Sequence, residues 1–313
     1  MSRRYRSLVL LLALAVPAWA AGCGGPAATE QPAEAPPAPK PKNAAEIART
    51  IVKGRVGVMV WNERLRGHNV ADKIRSLDLL GPMLEGTGID PIRDVHAAYV
   101  ASTGVTRDDL AVAIVQHLLT DDQVRQGIDV VVSRSEPQGE WLPDMRVPTA
   151  RVTVRGQTRA LALVEPGFLA ILPASLAPLA ARFVGPGGFN DPEGPEAIVA
   201  TAVDPSHSLS GSHAPSIPPS LSVAVAKIRL AEDGGADIAF DAESTDPAQA
   251  AADAEALTES IDRATSIKLG FIRVRLFDRV VFRGEGSRVK SDTHLTGSEI
   301  DRLASIAGSL MPR

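Results

Sequence analysis

The spacing of apolar residues changes period several times along this chain, and each change marks an element. Asn43 can cap a helix over Ala44–Val52, which Gly54 stops. Residues 55–61 then alternate, with Val56, Val58 and Val60 on one side and Gly57, Met59 and Trp61 on the other, which is the period of a strand. Val70, Ile74, Leu77 and Leu80 return to helical spacing behind Asn69, until Gly81-Pro82 breaks the stripe. Strands are expected over 95–102 and 110–117. Thr120 or Asp121 then caps a helix carrying Val124, Ile128, Val131 and Val132, with Asp121 and Asp122 in the first turn, where the helix dipole favours acids. Strands follow at 149–155, 159–164 and 168–172, and Pro173 opens a helix over 174–183.

This order predicts an α+β fold with a mostly antiparallel sheet. Its first six elements, β-α-β-β-α-β, match the order of a ferredoxin-like split β-α-β unit. The Gly- and Pro-dense stretch 185–196 reads as a linker. Beyond it the pattern returns. Strands are expected at 197–203, 222–230 and 236–241, then a long Ala-rich helix that begins at Thr245-Asp246-Pro247. Strand, Thr-Asp and helix therefore recur about 125 positions after 110–121. A hairpin at 280–284 and 288–295 precedes the capping box Thr296-x-x-Glu299 and a last helix with Ile300, Leu303, Ile306 and Leu310 as its stripe. The expectation is two diverged α/β repeats, 43–184 and 197–313, joined by the linker, with a Ser/Pro loop at 206–220 replacing the first helix of the second copy. Residues 267–277 fit either a strand or a helix, and the spacing of Leu269, Ile272 and Leu276 favours the helix slightly.

The N-terminus follows a different logic. Arg3, Arg4 and Arg6 precede an unbroken apolar run from Leu8 to Val16, then Pro17 and small residues, which is the build of a secretory signal over residues 1–22. The run is too short for a permanent span, which needs ~20 apolar residues. The segment ends in Ala20-Ala21-Gly22-Cys23, and Cys23 is the single cysteine of the chain. This tetrapeptide resembles the lipobox of bacterial lipoproteins, with Ala20 where such families usually carry Leu. The resemblance, confined to about the first 25 residues, implies cleavage between Gly22 and Cys23. It also implies a thioether-linked diacylglycerol on Cys23, with a further acyl chain such as palmitate on the new amino group. Two or more chains give stable anchoring where one does not. The alternative is a plain signal cut at Ala-x-Ala that leaves Cys23 a free thiol. Residues 24–42 contain no aliphatic side chain larger than Ala and are rich in Pro, so 23–42 reads as a disordered tether of roughly 50 Å.

Composition narrows the classes. Loss of residues 1–22 removes three arginines and no acid, taking the net charge from −4 to about −7. With no basic stripe, nucleic acid is not an expected partner. One cysteine cannot form an internal disulfide, so the fold must rest on its hydrophobic core. His207 and His213, beside Asp204, flank a Ser-rich loop without the spacing of a metal or nucleophilic site. Ser287-x-x-Lys290 matches the Ser-x-x-Lys pattern, yet it falls on a predicted strand, where residues three apart face opposite sides. Ser291-Asp292-Thr293 lacks the Asn of the partner motif. Gly185-Pro186-Gly187-Gly188 lacks the Lys-Ser/Thr of a phosphate loop, and Asp191, Glu193 and Glu196 lack a calcium-loop register. Trp61 is expected in the core, and Trp141 in a loop folded back onto it.

No catalytic, cofactor-binding or metal-ligating residue is assigned. The expected function is that of a lipid-anchored cell-envelope protein, a non-enzymatic binding or scaffolding module whose partners are the membrane, through Cys23, and an envelope protein or polymer. A carrier of lipid or another apolar ligand, or a hydrolase with a site assembled from distant residues, are the alternatives. In a two-membrane bacterium Gly24, rather than Asp, after the cysteine points to the periplasmic face of the outer membrane.

Overall fold

The computed structural model describes residues 43–76, 81–106, 110–183, 188–190, 192–211, 214–269 and 272–310. The chain order is α1 (Ala44–Val52), β1 (Val56–Trp61), α2 (Asn62–Leu65), α3 (Asn69–Ser76), α4 (Gly81–Leu84), β2 (Val95–Ser102), β3 (Ala111–His117), α5 (Asp121–Arg134), β4 (Glu140–Leu142), β5 (Thr149–Val154), β6 (Gln157–Val164) and β7 (Phe168–Pro173). A 3₁₀ segment (Ala174–Phe183) follows, then β8 (Ile198–Val203), α6 (Pro205–Ser208), β9 (Val223–Leu230), β10 (Ala236–Glu243), α7 (Pro247–Ala264), β11 (Ser266–Leu269), β12 (Ile272–Arg275), β13 (Arg283–Glu285), β14 (Arg288–Leu295) and α8 (Gly297–Leu310).

Twelve strands form one sheet in the order β13-β14-β10-β9-β8-β1-β2-β3-β7-β6-β5-β4, and β11 and β12 form a separate pair. Every pairing in the large sheet is antiparallel. The fold class is therefore α+β with a large antiparallel sheet. The split β-α-β arrangement does not form. The insertion α2–α4 leaves β1 and returns to the same end of it, so β2 pairs antiparallel beside β1, with Val58 opposite Val100. The two stretches on either side of residues 185–196 share this sheet, because β8 pairs directly with β1 from Val56↔Ala202 to Val60↔Ile198. Described residues of that connecting stretch are fixed to the body: Phe189 meets Phe168 edge to face at 5.9 Å, and Arg64 Nη1 donates to the carbonyls of Gly194 and Glu196.

Three helix starts are capped by side chains, while Asn69, expected as a cap, is instead the first residue of α3. Asn43 Oδ1 accepts the Glu46 N–H at 3.0 Å, Thr120 and Gln123 form a reciprocal capping box, and Asp246 Oδ1 accepts from Gln249 at 2.9 Å. Three expectations change. Ser266–Leu269 and Ile272–Arg275 form strands β11 and β12 rather than a helix, with Ser266 opposite Arg275, so period-2 pairing prevails over the Leu269–Ile272–Leu276 spacing. Residues 174–183 form a 3₁₀ turn run with Pro178 inside it, since proline removes an N–H that an α-helix would use. The hairpin strand expected at 280–284 shortens to Arg283–Glu285. Of the stripe behind Asn69, Leu77 and Leu80 lie outside the described residues.

The two sides of the sheet are covered differently. The side carrying Val58, Val100, Ala200 and Ala226 is covered along both halves. Helix α5 buries Val124, Ile128 and Val131 against Ala150, Val152, Leu161 and Leu163, while α2 and α3 bring Leu65 and Ala71 onto Val58 and Ile198. Helix α7 sets Ala250, Ala254 and Leu257 on Ala224, Ala242 and Val289, and α8 packs Ile300 and Leu303 beside Ala236 and Leu295. The other side carries Tyr99. There α1 and the 3₁₀ segment bury Ile47, Ala48, Ala180 and Phe183 against Tyr99, Val112, Ile114, Ala162 and Leu172 of β2, β3, β7 and β6, with Met59 of β1 partly covered at the margin. One row of register partners on this side runs Tyr99, Met59, Val199, Lys227, Ala239 and Asp292, from buried to exposed. An antiparallel sheet can leave one side to water, and here it does so over half its width.

Candidate functional site

Gly22 and Cys23, with the expected signal segment and tether, lie outside the described residues, as do Asp191 and His213. The other positions singled out in the sequence can be followed. Asp204 stands in the left-handed region at φ 50°, between β8 and α6. Its Oδ1 receives His207 Nδ1 at 2.8 Å and Ser206 Oγ at 3.2 Å, and its Oδ2 meets Arg55 Nη1 at 3.2 Å. The His207 hydrogen bond is the main force holding the Asp204 carboxyl below its usual range, with desolvation opposing it. Serine activation needs one ring nitrogen for the hydroxyl and the other for the orienting acid. Here Ser206 and Asp204 crowd the same nitrogen of an imidazole that is 74% exposed. The cluster is a surface clasp for a tight turn.

Ser287 and Lys290 are also apart in role. Lys290 Nζ pairs with Glu285 at 2.7 Å, while the Ser287 carbonyl accepts the Ser244 N–H at 2.8 Å. Glu196 lies 4.0 Å from Lys227 Nζ. Trp141 sits on edge strand β4 rather than in a loop. It folds back as expected: Nε1 donates to Asp129 at 2.7 Å, Arg125 lies over the ring at 5.0 Å, and the ring packs against the α5 core. Trp61 is buried under Arg64, 5.8 Å from the ring centre, and its indole N–H has no acceptor among the described residues. Tyr99 is buried, and that desolvation raises its pKa above the usual phenol value.

The densest polar constellations involve residues the sequence did not single out. On α7, Asp253 is 1% exposed and accepts from Ser220 Oγ and Ser244 Oγ at 2.6 Å each and from Gln249 Nε2 at 2.7 Å. It thereby ties the end of the Ser/Pro loop and the end of β10 to the helix. His117, at the end of β3, is buried with Nδ1 2.9 Å from the Leu119 carbonyl; its Nε2 has no hydrogen bond among the described residues and lies 3.5 Å from Asp121 Oδ1. Desolvation pulls its pKa down, outweighing the Leu119 bond and the Asp121 charge. The uncovered half of the Tyr99 side carries cross-strand ion pairs: Arg229–Asp237, Arg288–Asp241 and Lys290–Glu285. His294 joins them between Asp233 and Asp237. The alternation of charge on β9, β10 and β14 was the available signal; the partnering needed the register.

Among the described residues, no group of three or more His, Cys, Asp or Glu side chains is arranged to hold a metal ion. No described helix is long and apolar enough to cross a membrane. A cleft of about 270 Å³ lies between the end of α5 and the β5–β6 turn, lined by Val131, Arg134, Glu136, Thr153 and Arg155 among others. Its Arg134 is held by the carboxyl and carbonyl of Glu85, so it is not a free anion receptor.

No protein-family model matches the chain. No curated protein matches it in sequence. Solved structures of TP0453 are similar in fold. Crystal form III aligns with a TM-score of 0.51 at 12% identity over 83% of this chain and 96% of that one. Crystal form I gives 0.47 at 13% identity over 84% and 96%. At this identity the likeness concerns the fold alone.

Proposed function

We propose that this chain is a cell-envelope lipoprotein whose folded body is a non-enzymatic binding or scaffolding module. The observation that carries the reading is Ala20-Ala21-Gly22-Cys23, placed after a secretory-type apolar run and before a Pro/Ala-rich stretch that ends at Asn43, the cap of the first described helix. Acyl chains on Cys23 hold the protein to a membrane, and residues 24–42 hold its body away from it. In a two-membrane bacterium this is the periplasmic face of the outer membrane. The conspicuous polar side chains of the body are spent on one another as ion pairs and turn clasps.

The test is replacement of Cys23 by Ala, followed by membrane fractionation and labelling with a palmitate analogue. The variant is expected in the non-membrane fraction, unlabelled. Membrane retention of Cys23→Ala would refute the anchor. Envelope crosslinking of the native protein is expected to capture a protein or polymer partner, whereas lipid co-purifying in native mass spectrometry would move the assignment to a carrier.

We also infer that the body is a diverged internal duplication. Each half runs as a three-stranded meander, a helix opened by Thr-Asp, and an outer hairpin whose second strand returns to the meander, giving β1-β2-β3-β7 and β8-β9-β10-β14 on either side of the β1–β8 pair. The halves depart from each other in their last helical element, which packs on the Tyr99 side in the first and on the Val58 side in the second. Superposition of the two meander-helix units in an experimental structure should give a rotation near 180°; failure of α5 to fall on α7 would reject common descent.

A further inference from the structure

The turn joining β9 to β10, residues 231–235, is gripped by two histidines from distant parts of the chain. His294 at the end of β14 places Nδ1 2.8 Å from Asp237 Oδ1 and Nε2 2.9 Å from Asp233 Oδ2. Carboxylate oxygens only accept, so both contacts are hydrogen bonds only when both ring nitrogens carry hydrogen. Each carboxylate is held from a second direction, Asp237 by Arg229 at 2.6 Å and Asp233 by the Gly235 N–H at 2.8 Å. His68, just before α3, has the opposite requirement. Its Nε2 lies 2.9 Å from the Ala231 carbonyl and its Nδ1 accepts the Val70 N–H at 3.2 Å. That pattern fits the neutral ring with hydrogen on Nε2, and a second ring hydrogen would oppose the Val70 N–H. The junction leaves little room: a Cβ on Gly234 would lie 2.7 Å from Asn69 Nδ2, and one on Gly235 would strike the Leu295 carbonyl. Lys73 and Asp301, 2.9 Å apart, tie α3 to α8 nearby.

We propose that this turn is a pH-tuned latch between the two halves of the molecule, held tightest when His294 is charged. Base releases it through His294. The groups facing His294 are Asp233 and Asp237, with Arg229 behind Asp237 and Asp292 further along the same side of β14. Among the described residues no ion pair involves the His68 ring. The Asp237 and Asp233 hydrogen bonds hold the His294 pKa above its ordinary value. The His294 contribution is therefore complete below the unfolded imidazole pKa of ~6.5 and is lost as pH rises through the higher folded value.

The test is amide hydrogen exchange of the full chain in detergent between about pH 5 and pH 9, corrected for intrinsic rates, with Val70, Ala231 and Gly235 as reporters. Gly235 protection is expected to fall as pH rises above neutral. His294→Asn should remove that fall and lower Gly235 protection about threefold at neutral pH; His68→Asn should leave the fall in place while lowering Val70 protection. Protection that stays flat in the native chain, or the fall persisting in His294→Asn, would overturn the latch. Ring nitrogen-15 shifts of the native chain test it without substitution. His294 doubly protonated and His68 protonated on Nε2 at neutral pH are expected, and a neutral His294 or an Nδ1-protonated His68 would overturn it.

Discussion

Removal of the Asp253 side chain is the sharpest probe of how the second half is held. Asp253→Ala deletes a buried acceptor that serves three donors, Ser220 and Ser244 at 2.6 Å and Gln249 at 2.7 Å. A buried donor left without its partner costs ~1–3 kcal/mol. The three donor residues are themselves only partly buried, so water recovers some of that loss and the lower end applies to each. The sum is about 3 kcal/mol, with Ala adding little of its own at a helix interior position. For a body of this size ~1 kcal/mol moves the melting temperature by ~2–4 °C, which gives a fall of roughly 6–12 °C. Asp253→Asn keeps the shape and one acceptor oxygen and should lose about half as much. The assay is urea unfolding followed by circular dichroism, with a double-mutant cycle between Asp253→Ala and Ser244→Ala. A coupling of about 1 kcal/mol is expected. Asp253→Ala within 0.5 kcal/mol of the native chain, or a coupling of zero, would show that the cluster is not what fastens α7 to the Ser/Pro loop and β10.

Two further predictions concern the first half. Gly57 lets Tyr99 lie across β1, because a Cβ there would collide with the Tyr99 hydroxyl and sit 3.0 Å from Thr201 Oγ1. Gly57→Ala should destabilise by ~1–3 kcal/mol, and Tyr99→Phe in the same chain should recover part of the loss; no recovery in equilibrium unfolding would reject the collision. His117 is held neutral by burial, with its pKa lowered. The unfolded chain therefore binds more protons, and stability should fall as pH drops below ~6.5 towards the folded value. His117→Asn should flatten that acid slope in unfolding free energy measured against pH, and an unchanged slope would assign the acid loss elsewhere.

What the sequence disclosed follows from the range of the interactions. Local rules act over three or four residues, so the caps at Asn43, Thr120 and Asp246 and the alternating strands 56–61, 95–102 and 288–295 were readable directly. Residues 266–275 were not, because a short apolar run fits both periods until a partner strand decides. The strand order was hidden for a similar reason: the same succession of elements serves a parallel crossover or an antiparallel meander, and only the return of α2–α4 to the same end of β1 selects between them. The polar clusters were least visible. Asp237 and His294 are 57 positions apart and meet because β10 pairs with β14, and Ser220 reaches Asp253 across 33 positions. Cys23, the residue with the clearest sequence signature, owes it to short-range chemistry outside the described fold.

The way the sheet stops bears on life at high local concentration. An open strand edge is a template for another chain. At one end of this sheet β13 offers three residues, with Arg283 and Glu285 exposed. At the other, β4 covers three residues of β5, and the rest of that edge is consumed nearby: the Thr153 N–H donates to Ser135 Oγ at 2.5 Å, and the Thr153 carbonyl accepts the Glu136 N–H at 3.4 Å. Molecules confined to a plane by the proposed anchor would meet one another far more often than molecules free in solution. With its margins shortened, charged or plugged by its own loop, this sheet gives such neighbours little to add a strand to, so crowding need not become polymerisation.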